Sequence, residues 1–105
     1  MDPIAVSFDN VRDLLAQSQH KLVLFVFWSE RSEQSKQQLQ GCHTVCRDYP
    51  EQLVLASVNC DHDQELAMQF GVRSLPTVMF IQQGQPVDGF AGLETEAQIR
   101  QRLQP

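Results

Sequence analysis

Apolar positions along the chain keep two periods, and the switches between them lay out its elements. Ile4, Val6 and Phe8 recur at every second residue, as in a short strand, and Val11, Leu14 and Leu15 follow at helical spacing through Gln17. Leu22 to Trp28 is an unbroken apolar run. Strands covered on both faces, as in parallel sheets, have that pattern, so this run is predicted as the central strand. Leu39, Cys42, Val45, Cys46 and Tyr49 share one helical stripe, which predicts a single helix from Glu33 to Tyr49 that Pro50 helps to stop. A second apolar strand is predicted over Leu53 to Val58, and a short helix over Asp63 to Phe70 that Gly71 can end in the left-handed conformation. Thr77 to Ile81 reads as a strand, Gln82 to Gln85 as a turn and Val87 to Phe90 as the returning strand of a hairpin. Thr95 to Leu103 closes the chain as a helix capped by Thr95 or by the acid before it. The βαβ alternation implies parallel pairing and the hairpin antiparallel pairing, which makes an α/β protein with a mixed sheet flanked by helices on both faces. No repeat, low-complexity tract or linker interrupts the pattern, so residues 1–105 read as one domain.

Composition narrows the function classes. With 42% hydrophobic and 20% charged residues in 105, the chain can build one core without metal or disulfide staples. Its longest apolar run, Leu22 to Trp28, is far short of the ~20 residues that span a bilayer, and Asp2 with the acids after it spoils a signal peptide. A cytoplasmic protein without a membrane partner is expected. The net charge of −5, with no basic cluster, argues against nucleic acid as a partner and leaves proteins open. Three cysteines, Cys42, Cys46 and Cys60, are an odd number and fit a reducing compartment.

The segment Phe27-Trp28-Ser29-Glu30-Arg31-Ser32-Glu33-Gln34-Ser35-Lys36 holds the candidate chemistry. Ser32 stands where a helix begins, and a serine oxygen there can accept the N–H of residue 34 or 35 and cap the helix for ~1 kcal/mol. Glu33 suits the positive end of the helix dipole. With no histidine nearby in sequence to activate the hydroxyl, a cap is favoured over a catalyst. Cys42 and Cys46, four apart on the apolar stripe, have Cβ atoms ~5–6 Å apart where a disulfide needs about 4 Å, so they are read as core residues. Joining them to His43, Cys60 and His62 in a zinc site is set aside, because His43 lies off the stripe and no CxxC spacing is present. Neither a metal nor a cofactor is expected. Cys60 ends a strand just before a helix. That helix and His62 would lower its pKa while Asp61, Asp63 and Glu65 would raise it, and the sign stays open.

The element order resembles the thioredoxin fold, and Phe27-Trp28, Ser32 to Lys36, Asn59-Cys60-Asp61, Gly71-Val72-Arg73-Ser74-Leu75-Pro76-Thr77, Gly84 and Gly92 keep thioredoxin order and spacing. Within that superfamily, Phe-Trp-Ser-Glu-Arg-Ser at 27–32 and Gly-Gln-Pro-Val-Asp-Gly-Phe at 84–90 are similar to the thioredoxin domain of bacterial chaperedoxins. The resemblance implies that Ser32 and Ser35 stand for the two redox cysteines, Val26 for the buried acid that serves them and Ser57 for the lysine paired with that acid. It implies a cis peptide at Pro76, with backbone groups of Ser74 and Leu75 open to an extended peptide. Arg31, Ser32, Ser74, Leu75, Pro76 and Gly92 would then form a client-binding rim, with Arg31 in place of an apolar tryptophan and Trp28 packed beneath. Chaperedoxins carry tetratricopeptide repeats after this domain, hold unfolded clients and pass them to a chaperonin; this sequence stops at Pro105 without such repeats. The expectation is a module without catalytic residues that binds unfolded or extended protein segments, with a chaperonin as a second partner. The alternative is a thiol–disulfide oxidoreductase of reduced scope in cell redox homeostasis, in which Cys60 alone forms mixed disulfides and an external reductant resolves them.

Overall fold

The apolar run Leu22–Trp28 forms the central strand β2 of a five-stranded sheet in the computed structural model, which describes residues 3–103. Around it lie β1 (Ile4–Ala5), α1 (Val11–Gln17), α2 (Glu33–Arg47), β3 (Leu53–Asn59), α3 (Gln64–Gln69), β4 (Thr77–Gln82), β5 (Gln85–Ala91) and α4 (Glu96–Leu103). The strand order is β1-β3-β2-β4-β5, with β1 and β2 parallel to β3 and with β4 antiparallel to both β2 and β5. This is the mixed sheet the pattern predicts.

Because β2 is covered on both sides, Val23 to Phe27 are wholly enclosed. Alternate side chains then serve two cores. Val23, Phe25 and Phe27 pack with Leu14 of α1 and Leu66 of α3, where Phe70 stacks edge-on against Phe25 at 5.3 Å between ring centres. Leu24 and Val26 pack on the other face with Cys42 and Val45 of α2 and Ile99 of α4.

The turn between β4 and β5 uses two residues of positive φ, Gln83 at 55° and Gly84 at 76°, which suits the twist of a tight hairpin. Buried Ser18, at the end of α1, receives this turn. Its carbonyl accepts the Gln83 N–H and its hydroxyl accepts the Gly84 N–H, both at 2.8 Å. At the edge, β5 shifts register between Phe80 and Ile81, and a Cβ on Gly89 would stand 2.9 Å from the Val78 carbonyl oxygen, so only glycine fits there. The closing helix is capped by Thr95 rather than Glu94: the Gln98 N–H donates to the Thr95 hydroxyl at 3.2 Å and the Thr95 N–H to the Gln98 side chain at 2.8 Å.

Two expectations need correction. Phe8 is not in a strand. β1 ends at Ala5, and the Ser7 N–H turns instead to the Asn10 side chain at 2.8 Å, leaving Phe8 half exposed ahead of α1. Tyr49 is not on the long helix either. α2 ends at Arg47, and the Tyr49 N–H donates to the Cys46 carbonyl at 3.0 Å in a tighter turn that swings the ring outward before Pro50.

Candidate functional site

The strand register decides which loops meet. Trp28 pairs with Asn59 and Phe27 with Thr77, so the Ser29–Ser32 loop, Cys60–Asp61 and Pro76 all leave the sheet at one end. The Gly92 N–H donates to the Pro76 carbonyl at 2.9 Å and adds Gly92 to the group. The predicted rim residues thus share this end: Arg31 and Ser74 exposed, Ser32, Leu75 and Gly92 half-buried, and Pro76 buried behind a cis Leu75–Pro76 peptide.

Ser32 is the N-cap of α2, its hydroxyl accepting the Ser35 N–H at 3.2 Å. Ser35 is wholly enclosed. Its oxygen accepts the Ser29 N–H at 3.0 Å, and its proton is shared between the carbonyls of Ser32 (2.9 Å) and Ser29 (3.2 Å). The Ser35 hydroxyl is thus enclosed and both donates and accepts within the loop.

Ser29 and Asp61 complete the loop's polar frame. The Ser29 hydroxyl donates to one Asp61 oxygen at 2.7 Å, the Glu30 N–H donates to the other at 2.9 Å, and the Arg31 N–H donates to the Ser29 hydroxyl at 3.1 Å. Asn59 holds the Asp61 N–H through its side chain at 2.9 Å. The Ser29 hydroxyl first, then the Glu30 N–H, holds the Asp61 carboxyl below the usual range. The sequence reading met Asp61 as a charge near Cys60 and as part of the Asn59-Cys60-Asp61 string, without assigning it a partner. The available signal was register, since Ser29 and Asp61 lie just past the paired ends Trp28 and Asn59.

A pH dependence follows. The folded chain releases the Asp61 proton more readily than the unfolded chain, so this contribution is present above the ordinary carboxylate range and is lost as pH falls below 3.8. Asp61→Ala should therefore lower the urea midpoint near neutrality, with the difference between the two chains shrinking as pH falls below 3.8. A difference that persists unchanged in acid would contradict the assignment.

Val26 and Ser57 sit opposite each other in the β2–β3 register, and Val26 is wholly enclosed by apolar side chains of the second core. Half-buried Trp28 packs with its indole N–H enclosed and without a hydrogen-bond partner among the described residues. The thiols are shifted one way. Burial pushes Cys42 and Cys46 up to about 12. Half-buried Cys60 also rises, through burial first and then Asp61 and Asp63, against an opposing hydrogen bond at the Trp28 backbone. Near neutral pH all three rest as thiols, the less nucleophilic form. Among the described residues, no three histidine, cysteine or acidic side chains gather as a metal site, and no helix is long and apolar enough to cross a membrane.

A second residue escaped the sequence reading. Gln38 faces inward from α2, almost wholly enclosed, where its carbonyl accepts the Glu94 N–H at 2.6 Å and its amide donates to the Glu94 carbonyl at 3.2 Å. It therefore fixes the segment that follows Gly92. Arg102 braces the same segment through Glu94 at 2.7 Å and Asp88 at 3.1 Å, lying 4.8 Å over the Phe90 ring. A polar residue on the apolar side of a helical stripe was the only signal for Gln38.

Comparison with known proteins gives a consistent result. The family model described as thioredoxin matches residues 3–105. An uncharacterized protein of Mycobacterium tuberculosis is 32% identical over 87 residues, covering 83% of this chain but only 29% of its own length. Thioredoxin 1 of Synechococcus elongatus is 31% identical over 70 residues, 67% of this chain and 65% of that protein. In three dimensions, Fasciola hepatica thioredoxin superposes with a TM-score of 0.85 over 95% of both chains at 22% identity.

Proposed function

Because the chain belongs to the thioredoxin family, we propose that Ser32 and Ser35 occupy the family's two redox positions and that this protein holds extended protein segments instead of exchanging disulfides. The observation that carries the reading is at Leu75. Among the described residues its backbone N–H and C=O have no protein partner, while the neighbouring Ser74 carbonyl accepts the Thr77 hydroxyl at 2.7 Å. Leu75 thus offers one donor and one acceptor at the edge of the loop end, which is what an added strand pairs with. Ser74 contributes less than the sequence reading expected, since its carbonyl is already engaged.

Three further features support the reading. The loop is free of cysteine, the hydroxyl of Ser35 is satisfied internally, and Val26 leaves no proton handler beneath it. Arg31, Ser32, Leu75, Pro76 and Gly92 then serve as the client rim. The resemblance of residues 27–32 and 84–90 to the chaperedoxin domain supports proposing a chaperonin as a second partner. Most of the length of the mycobacterial relatives lies outside the match, which fits a domain that works beside further chain.

One paired assay tests this. The chain should slow the light-scattering rise of a thermally unfolding client at about equimolar ratio and leave insulin reduction by dithiothreitol unaccelerated. In a titration with an extended peptide followed by NMR, the Leu75 amide should shift downfield. An unchanged aggregation rate with a silent Leu75 amide would refute binding. Insulin reduction that is accelerated, and abolished by Cys60→Ser, would give the function to the monothiol instead.

A further inference from the structure

We propose that a second, independent site lies at the opposite end of the sheet and takes a small organic anion, one carboxylate on a compact apolar body. A cavity of about 160 Å³ opens there between the last turns of α2 and the start of β3. It arises because β1 is only two residues long and pairs with Ala56 and Ser57, which leaves the outer edge of Leu53 to Leu55 uncovered. β2 and β3 begin together at Leu22 and Leu53, so this site and the serine loop, which follows Trp28 and Asn59, lie a full strand length apart.

The lining combines two chemistries. Ile4, Cys46, Leu53 and Leu55 supply an apolar floor, and Lys21 and Arg47, beside His43, supply a cationic mouth. Among the described residues no Asp or Glu lines the cavity, although acidic residues outnumber Lys and Arg by 13 to 8 in the chain. Lys36, Arg100 and Arg102 each hold a carboxylate at 2.6–3.3 Å, whereas Arg12, Arg31 and Arg73, outside the cavity lining, hold none among the described residues. Among the described residues, Lys21 and Arg47 hold no ion pair. Two cations without an ion pair among the described residues, set over an apolar floor, match a ligand with a charged head and a water-avoiding body. The size sets the body, since an aliphatic-lined cavity of ~150 Å³ accepts a benzene ring. A bare inorganic anion would leave the floor unmatched, and a neutral ring would leave the cations unmatched.

The test is a titration of the ¹⁵N-labelled chain with benzoate, benzyl alcohol and inorganic phosphate, repeated on Lys21→Gln/Arg47→Gln. Benzoate should give saturable shifts at Ile4, Cys46, Arg47 and Leu53 to Leu55 with a Kd on the order of 1 mM. Benzyl alcohol on the parent chain and benzoate on the double variant should each bind about tenfold more weakly. Arg47 is exposed and Lys21 half-buried, and an unchanged amide spectrum elsewhere confirms that the variant is folded. Absence of saturable shifts at the cavity overturns the proposal. So does equal binding of benzyl alcohol, which removes the role of charge, equal binding of phosphate, which removes the role of the floor, or unweakened benzoate binding to the double variant.

Discussion

Val26→Asp should destabilise the chain by about 4 kcal/mol near neutral pH, from the lost burial of a valine and the enclosure of a carboxyl without a partner. The site offers nothing to offset the charge. Val26 packs among Leu24, Cys42, Val45, Val78 and Phe80, and Ser57 stands opposite where the family resemblance places a lysine. Burial would raise the carboxyl's pKa, so the folded state would retain a proton that the unfolded state releases. The penalty should then be smallest in acid and grow as pH rises through and beyond the ordinary carboxylate range. Urea unfolding of both chains at about pH 4 and pH 8 measures this. A variant as stable as its parent at both would mean that this face still accommodates an acid, and the argument that redox support has been withdrawn would lose its basis.

Gln38→Leu should cost about 2 kcal/mol and lower the melting temperature by about 10 °C. Leucine fills the space but cannot replace the two hydrogen bonds to Glu94, leaving that residue's N–H and C=O without their partner. The loss should be local before it is global. Faster hydrogen exchange at the Glu94 amide, together with line broadening at Gly92, would mark release of the segment beside Pro76. If the melting temperature fell while Glu94 exchange stayed unchanged, Gln38 would matter only through core packing.

The sequence pattern was most legible where one physical rule acted alone. The Leu22–Trp28 run, the Gly71 helix end and the Ser32 cap follow from burial, φ freedom and hydrogen-bond capacity, and the structure places all three as expected. Phe8 and Tyr49 misled because spacing continues past the point where the backbone turns, and spacing alone carries no stop signal there. Ser18, Ser29, Gln38 and Asp61 were hidden for a different reason. Each acts through a main-chain partner in another segment, or through a side chain over 30 residues away in the case of Ser29 and Asp61, and periodicity does not encode such pairs.

The irregular outer strand has a consequence for colloidal behaviour. A protein that offers backbone groups to sticky chains risks offering them to its own copies, and the open side of β5 is the natural template for such growth. Pro86 cannot donate a ladder hydrogen bond, and the register break between Phe80 and Ile81 twists the strand out of line beside it. Polymerisation through that strand is thereby discouraged, and exposed Asp88 adds a charge to the same edge.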